Sequence, residues 1–185
     1  MRDLLDIDAD LIRRYDTTGP RYTSYPTAAQ FHSGFDATRY RAAAKSTNRN
    51  AMPRPLSLYM HLPFCPSICF YCACNKIVTK NQARIAPYLE RLHKEIALQG
   101  ALFDGGRSVE QLHWGGGTPT FLSHEQMRAL MQVTRENFQL RDDDHGEYGV
   151  EIDPRRADAA TIGLLRELGF NRISIGVQDF DPTVQ

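Results

Sequence analysis

From Leu56 onward the chain alternates short apolar strands with helical stretches, and this alternation limits its fold more than any other feature. SLYMHL (57–62) predicts a strand with period-2 patterning. A helix is expected over 84–102, where Pro87 is tolerable only in the first turn. VEQLHW (109–114) predicts a second strand running into Gly115, Gly116 and Gly117. Ser123 followed by Gln126 forms a capping box for a helix to about Phe138. EYGVEI (147–152) predicts a third strand, Asp158 caps a helix stopped by Gly169, and RISIGV (172–177) predicts a fourth strand. The order βαβαβαβ requires parallel strands joined by right-handed crossovers. An open doubly wound sheet and part of a (β/α) barrel both satisfy it. No G-x-G-x-x-G turn follows the first strand, which argues against the dinucleotide-binding version of the open sheet. The expected class is therefore α/β, a partial (β/α) barrel of about four parallel strands.

Residues 1–50 predict an N-terminal arm of short helix and loop, with a boundary in the polar stretch that holds Pro53 and Pro55. Leu4, Leu5, Leu11, Ile12 and Tyr15 suggest a short amphipathic helix, GPRYTSYPTAAQF (19–31) an ordered loop, and Asp36 the cap of a helix through Ala44. Lys+Arg and Asp+Glu balance at 22 each, so the overall charge points to no nucleic-acid partner. No apolar run approaches the roughly 20 residues that cross a bilayer. The first residues lack the apolar core of a signal peptide. A cytoplasmic protein with no membrane span is expected.

Every chemically notable residue falls at or just past the carboxyl end of a predicted strand. Four cysteines (Cys65, Cys69, Cys72 and Cys74) follow the first strand, the glycines the second, Glu151 and Asp153 end the third, and Gln178 follows the fourth. In barrels and open α/β sheets that edge is where sites are built. Four cysteines within ten residues do not make a disulfide framework. Structural zinc usually takes two well-separated knuckles, and so tight a run would strain a tetrahedral site. The C-x3-C-x2-C spacing of Cys65, Cys69 and Cys72 instead suits three corners of a cubane iron–sulfur cluster, leaving one iron open.

The order and content of the blocks GPRYTSYPT (19–27), SLYMHLPFC (57–65), CACNKIVT (72–79), QLHWGGGTPT (111–120), EIDPR (151–155) and FNRISIGVQDF (170–180) resemble the bacterial oxygen-independent coproporphyrinogen III oxidases of the radical S-adenosylmethionine superfamily. The resemblance implies a [4Fe–4S] cluster on Cys65, Cys69 and Cys72, with Cys74 part of the pattern but not a ligand. It implies S-adenosylmethionine against Tyr59, Gly116, Gly117, Thr118, Glu151 and Gln178, with Tyr71 near the adenine. It also implies a substrate, coproporphyrinogen III, two of whose propionates lose carbon dioxide to give vinyl groups. An outside reductant of the flavodoxin type and a monomeric full-length protein are expected. The residues alone leave other roles open. Three glycines also serve a tight turn, Tyr59 and Tyr71 can be packing aromatics, and Glu151 can be a solvated strand end. Cys74 can be a small buried side chain, and His61 and His113 can be hydrogen-bonded structural histidines. A related haem chaperone is the alternative function. The family continues beyond the fourth strand, so residues 51–185 are expected to be the first part of a barrel truncated there, and this length of chain is expected to be inactive and poorly soluble or oligomeric.

Overall fold

The computed structural model describes residues 8–17, 27–50, 52–70, 72–177 and 179–183. The chain divides into two compact units, 1–40 and 41–185. The first holds helix α1 (Ala9–Tyr15), whose N-terminus is capped by the Asp8 carboxylate accepting from the N–H groups of Asp10 and Leu11. Leu11, Ile12 and Tyr15 all remain exposed, so the helix buries no apolar stripe. Leu4, Leu5 and most of the loop expected at 19–31 lie outside the described residues. Helix α2 (Ala37–Ser46) starts where Asp36 accepts from the N–H of Arg39 and continues into the second unit.

The second unit is built on a parallel sheet. Its central strands are β1 (Leu56–Leu62), β4 (Ser108–Gly116), β6 (Glu147–Ile152) and β7 (Arg172–Ile175), paired in that order. Three helices connect them: α3 (Ile85–Gly100), α4 (His124–Asn137) and α5 (Ala159–Glu167). All four expected strands are present, in the expected order and direction. Three two-residue strands were not expected: β2 (Phe64–Cys65) pairs with β3 (Ile77–Val78), and β5 (Gln139–Leu140) pairs with the start of β4. β7 is shorter than expected, ending at Ile175, and α3 ends at Gly100 with Pro87 inside its first turn.

Alternation along the strands separates two faces. Met60, Leu62, Leu112, Trp114, Tyr148 and Val150 point toward the helices and are buried with Leu89, Met127, Leu130, Met131 and Leu165. Trp114 meets Phe170 edge-on at 4.8 Å between ring centroids. The opposite face carries Tyr59, His61, His113, Gly115, Gly149 and Glu151, polar or side-chain-free at every position. The amino-terminal edge is closed by Arg107, a buried guanidinium that donates to Arg54 O, Thr47 Oγ1 and Asn48 Oδ1. At the other end of the chain, α5 stops at Gly169 with φ +101°, the N–H of Gly169 reaching Arg166 O and that of Phe170 reaching Leu165 O. No helix is long and apolar enough to cross a membrane among the described residues.

The capping box is formed as its spacing predicts: Ser123 Oγ accepts from Gln126 N–H, and Gln126 Oε1 accepts from Ser123 N–H. Ser123→Ala is expected to cost about 1 kcal/mol of stability, and Ser123→Thr only a few tenths, roughly the range for N-caps. Urea unfolding midpoints read the difference.

Candidate functional site

The cysteine loop grows directly out of β1. Beyond Leu62 the chain keeps pairing with the end of β4: Gly117 N–H donates to Leu62 O at 2.9 Å, and Thr118 N–H to Phe64 O at 2.9 Å. On its other side Phe64–Cys65 pairs with Ile77–Val78, with Ile77 N–H bound to Pro63 O and Thr79 N–H to Cys65 O. The root of the loop is therefore held between two strands, at the carboxyl end of β1. Within the loop Cys72 N–H closes a turn onto Cys69 O at 3.1 Å.

The glycine run is shaped by what lies against it. A Cβ on Gly117 would fall 2.7 Å from the Pro63 and Phe64 backbone. One on Gly115 would fall 2.9 Å from the Glu151 carboxylate. Gly116 has φ +111°, and a Cβ there would lie 2.5 Å from the His61 ring. The freed space holds a polar chain. Glu151 Oε2 accepts from Gly116 N–H at 2.9 Å, and its Oε1 lies 3.4 Å from His113 Nε2. His113 stacks on Tyr59 with centroids 5.9 Å apart, and the Tyr59 hydroxyl reaches His61 Nδ1 at 3.0 Å. His61 Nε2 lies 2.8 Å from Asn75 O. A carbonyl only accepts, so Nε2 carries a proton, and Nδ1 is the ring atom that meets the Tyr59 hydroxyl. His61 thus ties the far end of the cysteine loop to β1, and the Tyr88 hydroxyl holds the His61 carbonyl in turn.

Burial, then the charges of Glu151 and Cys74, raise the Tyr59 phenol above its usual value, so it stays a donor at neutral pH. Burial also pushes the Cys65 thiol up, with the Thr118 hydroxyl, 3.6 Å from Cys65 Sγ, pulling it back. For Cys72, burial raises the pKa but is outweighed by the Cys74 N–H and the Lys76 ammonium, and the thiol sits below its ordinary value. Cys74 is shifted the other way, by burial and by Cys72 beside it.

Cys65, Thr118, Gly116, Gly117 and Glu151 are brought to one edge, where the strand ends place them, and Tyr59 stands within β1 on the same polar face, opposite His113. Tyr71 and Gln178 lie outside the described residues. The four cysteines are free thiols, Cys69 and Cys74 exposed and the other two half-buried. Among the described residues no three His, Cys, Asp or Glu side chains converge on a single ion. A cubane asks for something else: one thiolate on each of three irons, spread around a cluster several ångströms across. Three thiols on one loop, beside a strand end where Gly115, Gly116 and Gly117 carry no Cβ atoms, suit that demand. The sequence alone did not reveal the His61–Asn75 tie or the Thr118–Cys65 contact, because a backbone acceptor and a partner 53 residues away leave no local pattern.

The Radical SAM superfamily profile matches residues 59–185. A Pseudomonas aeruginosa protein named oxygen-independent coproporphyrinogen III oxidase is 58% identical over 185 residues, covering 100% of this chain and 40% of that protein. A Mannheimia haemolytica sequence of the same name is 45% identical over 148 residues, covering 80% of this chain and 96% of that sequence. The solved structure of coproporphyrinogen III oxidase (HemN) from Escherichia coli, described as a radical SAM enzyme, superposes with a TM-score of 0.82 at 45% identity, covering 97% of this chain and 38% of that one. The chain thus spans about two fifths of the length of the Pseudomonas and Escherichia proteins.

Gly116→Ala is expected to destabilise the fold by at least about 1–2 kcal/mol, the scale of a side chain forced into left-handed backbone, and to loosen the His61–Asn75 tie. Gly105→Ala, where an added Cβ meets nothing within 4 Å, serves as the control and should leave the unfolding midpoint in place.

Proposed function

Because this chain belongs to the radical SAM superfamily, among the oxygen-independent coproporphyrinogen III oxidases, we propose that Cys65, Cys69 and Cys72 hold a [4Fe–4S] cluster whose fourth iron is open to S-adenosylmethionine. The observation that carries this proposal is the seating of the cysteine loop's root against Gly117 and Thr118, beside Glu151, at one edge of the parallel sheet. When bound, such a cluster would supply the electron for reductive cleavage of S-adenosylmethionine, the chemistry needed to remove a hydrogen from a propionate of coproporphyrinogen III and convert it to a vinyl group.

The chain's own residues bind and orient. Glu151 offers carboxylate oxygens to the ammonium of the methionine part; one of them is already fixed by Gly116 N–H. Gly116 and Gly117 let a ligand approach the backbone closely. Tyr59 stands on the same face as Glu151; the family resemblance assigns Gln178 to the ribose hydroxyls and Tyr71 to the adenine. Cys74 stays outside the ligand set. The protein works in the cytoplasm, draws its electron from a flavodoxin-type reductant and decarboxylates two propionates to give protoporphyrinogen IX.

Anaerobic reconstitution tests the ligand set. The chain is expected to take up about four irons and four sulfides. Alanine at Cys65, Cys69 or Cys72 should abolish uptake, while Cys74→Ala should retain it; cluster loss in Cys74→Ala alone would contradict the assignment. In the full-length protein Glu151→Gln and Gln178→Ala should weaken S-adenosylmethionine binding with iron retained, each by roughly the 0.5–3 kcal/mol of a lost hydrogen bond. Calorimetric titration reads it, and unchanged affinity in both variants would make these residues structural.

A further inference from the structure

The hydroxyl of Thr118 does not do what its place in the chain would ordinarily have it do. Thr118 immediately precedes the 3₁₀ turn Pro119–Phe121, where a threonine side chain usually accepts from a backbone N–H of the first turn. It makes no such bond, although its main-chain oxygen accepts the turn's own bond from Phe121 N–H at 2.8 Å. Thr118 is only 9% exposed, so water does little to satisfy the hydroxyl. Oγ1 points at Cys65 Sγ, 3.6 Å away. Both residues are pinned by strand pairing: Thr118 N–H is bound to Phe64 O, and Cys65 O accepts from Thr79 N–H at 2.8 Å. The contact is therefore set by paired backbone at the root of the loop and does not depend on the conformation of its exposed tip.

Hydrogen bonds onto ligand sulfurs are one of the levers by which a protein sets the potential of an iron–sulfur cluster. Reduction adds one negative charge, shared by the irons and their thiolates, and a donor on a thiolate favours the more negative form. We propose that the Thr118 hydroxyl donates to the Cys65 sulfur as a cluster ligand and raises the cluster's reduction potential, so that Thr118 acts through Cys65 to set how readily the site accepts its electron. This rests on Cys65 being a ligand, as proposed above.

The test compares Thr118→Val, which keeps the branched shape and loses the donor, with Thr118→Ser, which keeps the donor. Both are made in the full-length protein, reconstituted anaerobically, assayed for iron and titrated against redox dyes without S-adenosylmethionine. At a fixed solution potential the ratio of reduced to oxidised cluster should fall about threefold to tenfold in Thr118→Val, tenfold being about 59 mV for one electron. Thr118→Ser should stay within about twofold of the parent, a small part of one net hydrogen bond. An iron-loaded Thr118→Val at the parent's potential would overturn the proposal. So would a Thr118→Ser shift as large as that of Thr118→Val, since the methyl group would then be responsible. If Thr118→Val does not retain its cluster, Thr118→Ala replaces it under the same criterion. Iron content separates the two levels of the argument: a parent protein that takes up no cluster contradicts the ligand assignment and this proposal together, whereas a loaded protein with an unmoved potential contradicts this proposal alone.

Discussion

Two backbone hydrogen bonds, Gly117 N–H to Leu62 O and Thr118 N–H to Phe64 O, extend the β1–β4 ladder past the edge of the sheet. They decide where the cysteine loop begins. Without them Pro63–Cys65 would leave the sheet as an ordinary strand-to-helix connection, and the thiols would have no fixed relation to the glycine strand. The pairing is possible because Gly117 has no Cβ to collide with the Pro63 and Phe64 backbone. β2–β3 pairing holds the same segment from its other side, and the His61 ring secures the loop's return at Asn75.

The sheet serves two masters through its two faces. Toward the helices it is apolar and fully packed, with Trp114, Val109 and Val150 wholly buried, and this burial is the main source of stability. On the opposite face the sequence gives up packing. Gly115 and Gly149 stand where side chains would crowd Glu151 and His113, and Tyr59 is 58% exposed. A closed eight-stranded barrel fills its interior with branched apolar side chains. This sheet presents ionisable and hydrogen-bonding groups there instead, as suits a face that receives a polar ligand.

Much of this was legible in the residues. The four long strands and their order followed from period-2 patterning, and the cap of α4 followed from Ser123 and Gln126, because those signals are local. Two-residue strands such as Phe64–Cys65 and Ile77–Val78 carry no periodicity and were invisible. The edge position of the site could be anticipated from where the cysteines, glycines and Glu151 fall relative to the strands. Its wiring could not. Gly116 looked like part of a tight turn or a ligand strip, and the structure adds a third reason for it, room for His61. His61 and Thr118 owe their placement to long-range register, which a single sequence does not encode in any short window. At the amino terminus the apolar spacing of Leu11, Ile12 and Tyr15 matches the short helix α1, whose apolar residues are exposed.

The proposed function requires this edge to hold a cluster by three thiolates and leave one iron for S-adenosylmethionine. Electron paramagnetic resonance of the reduced, reconstituted full-length protein tests it most directly, with spectra taken before and after the cofactor is added. The account predicts a cluster signal whose shape changes when S-adenosylmethionine arrives, because a new ligand enters the coordination of one iron. A signal that stays the same at saturating cofactor would mean that no iron is open to it, and would contradict the account.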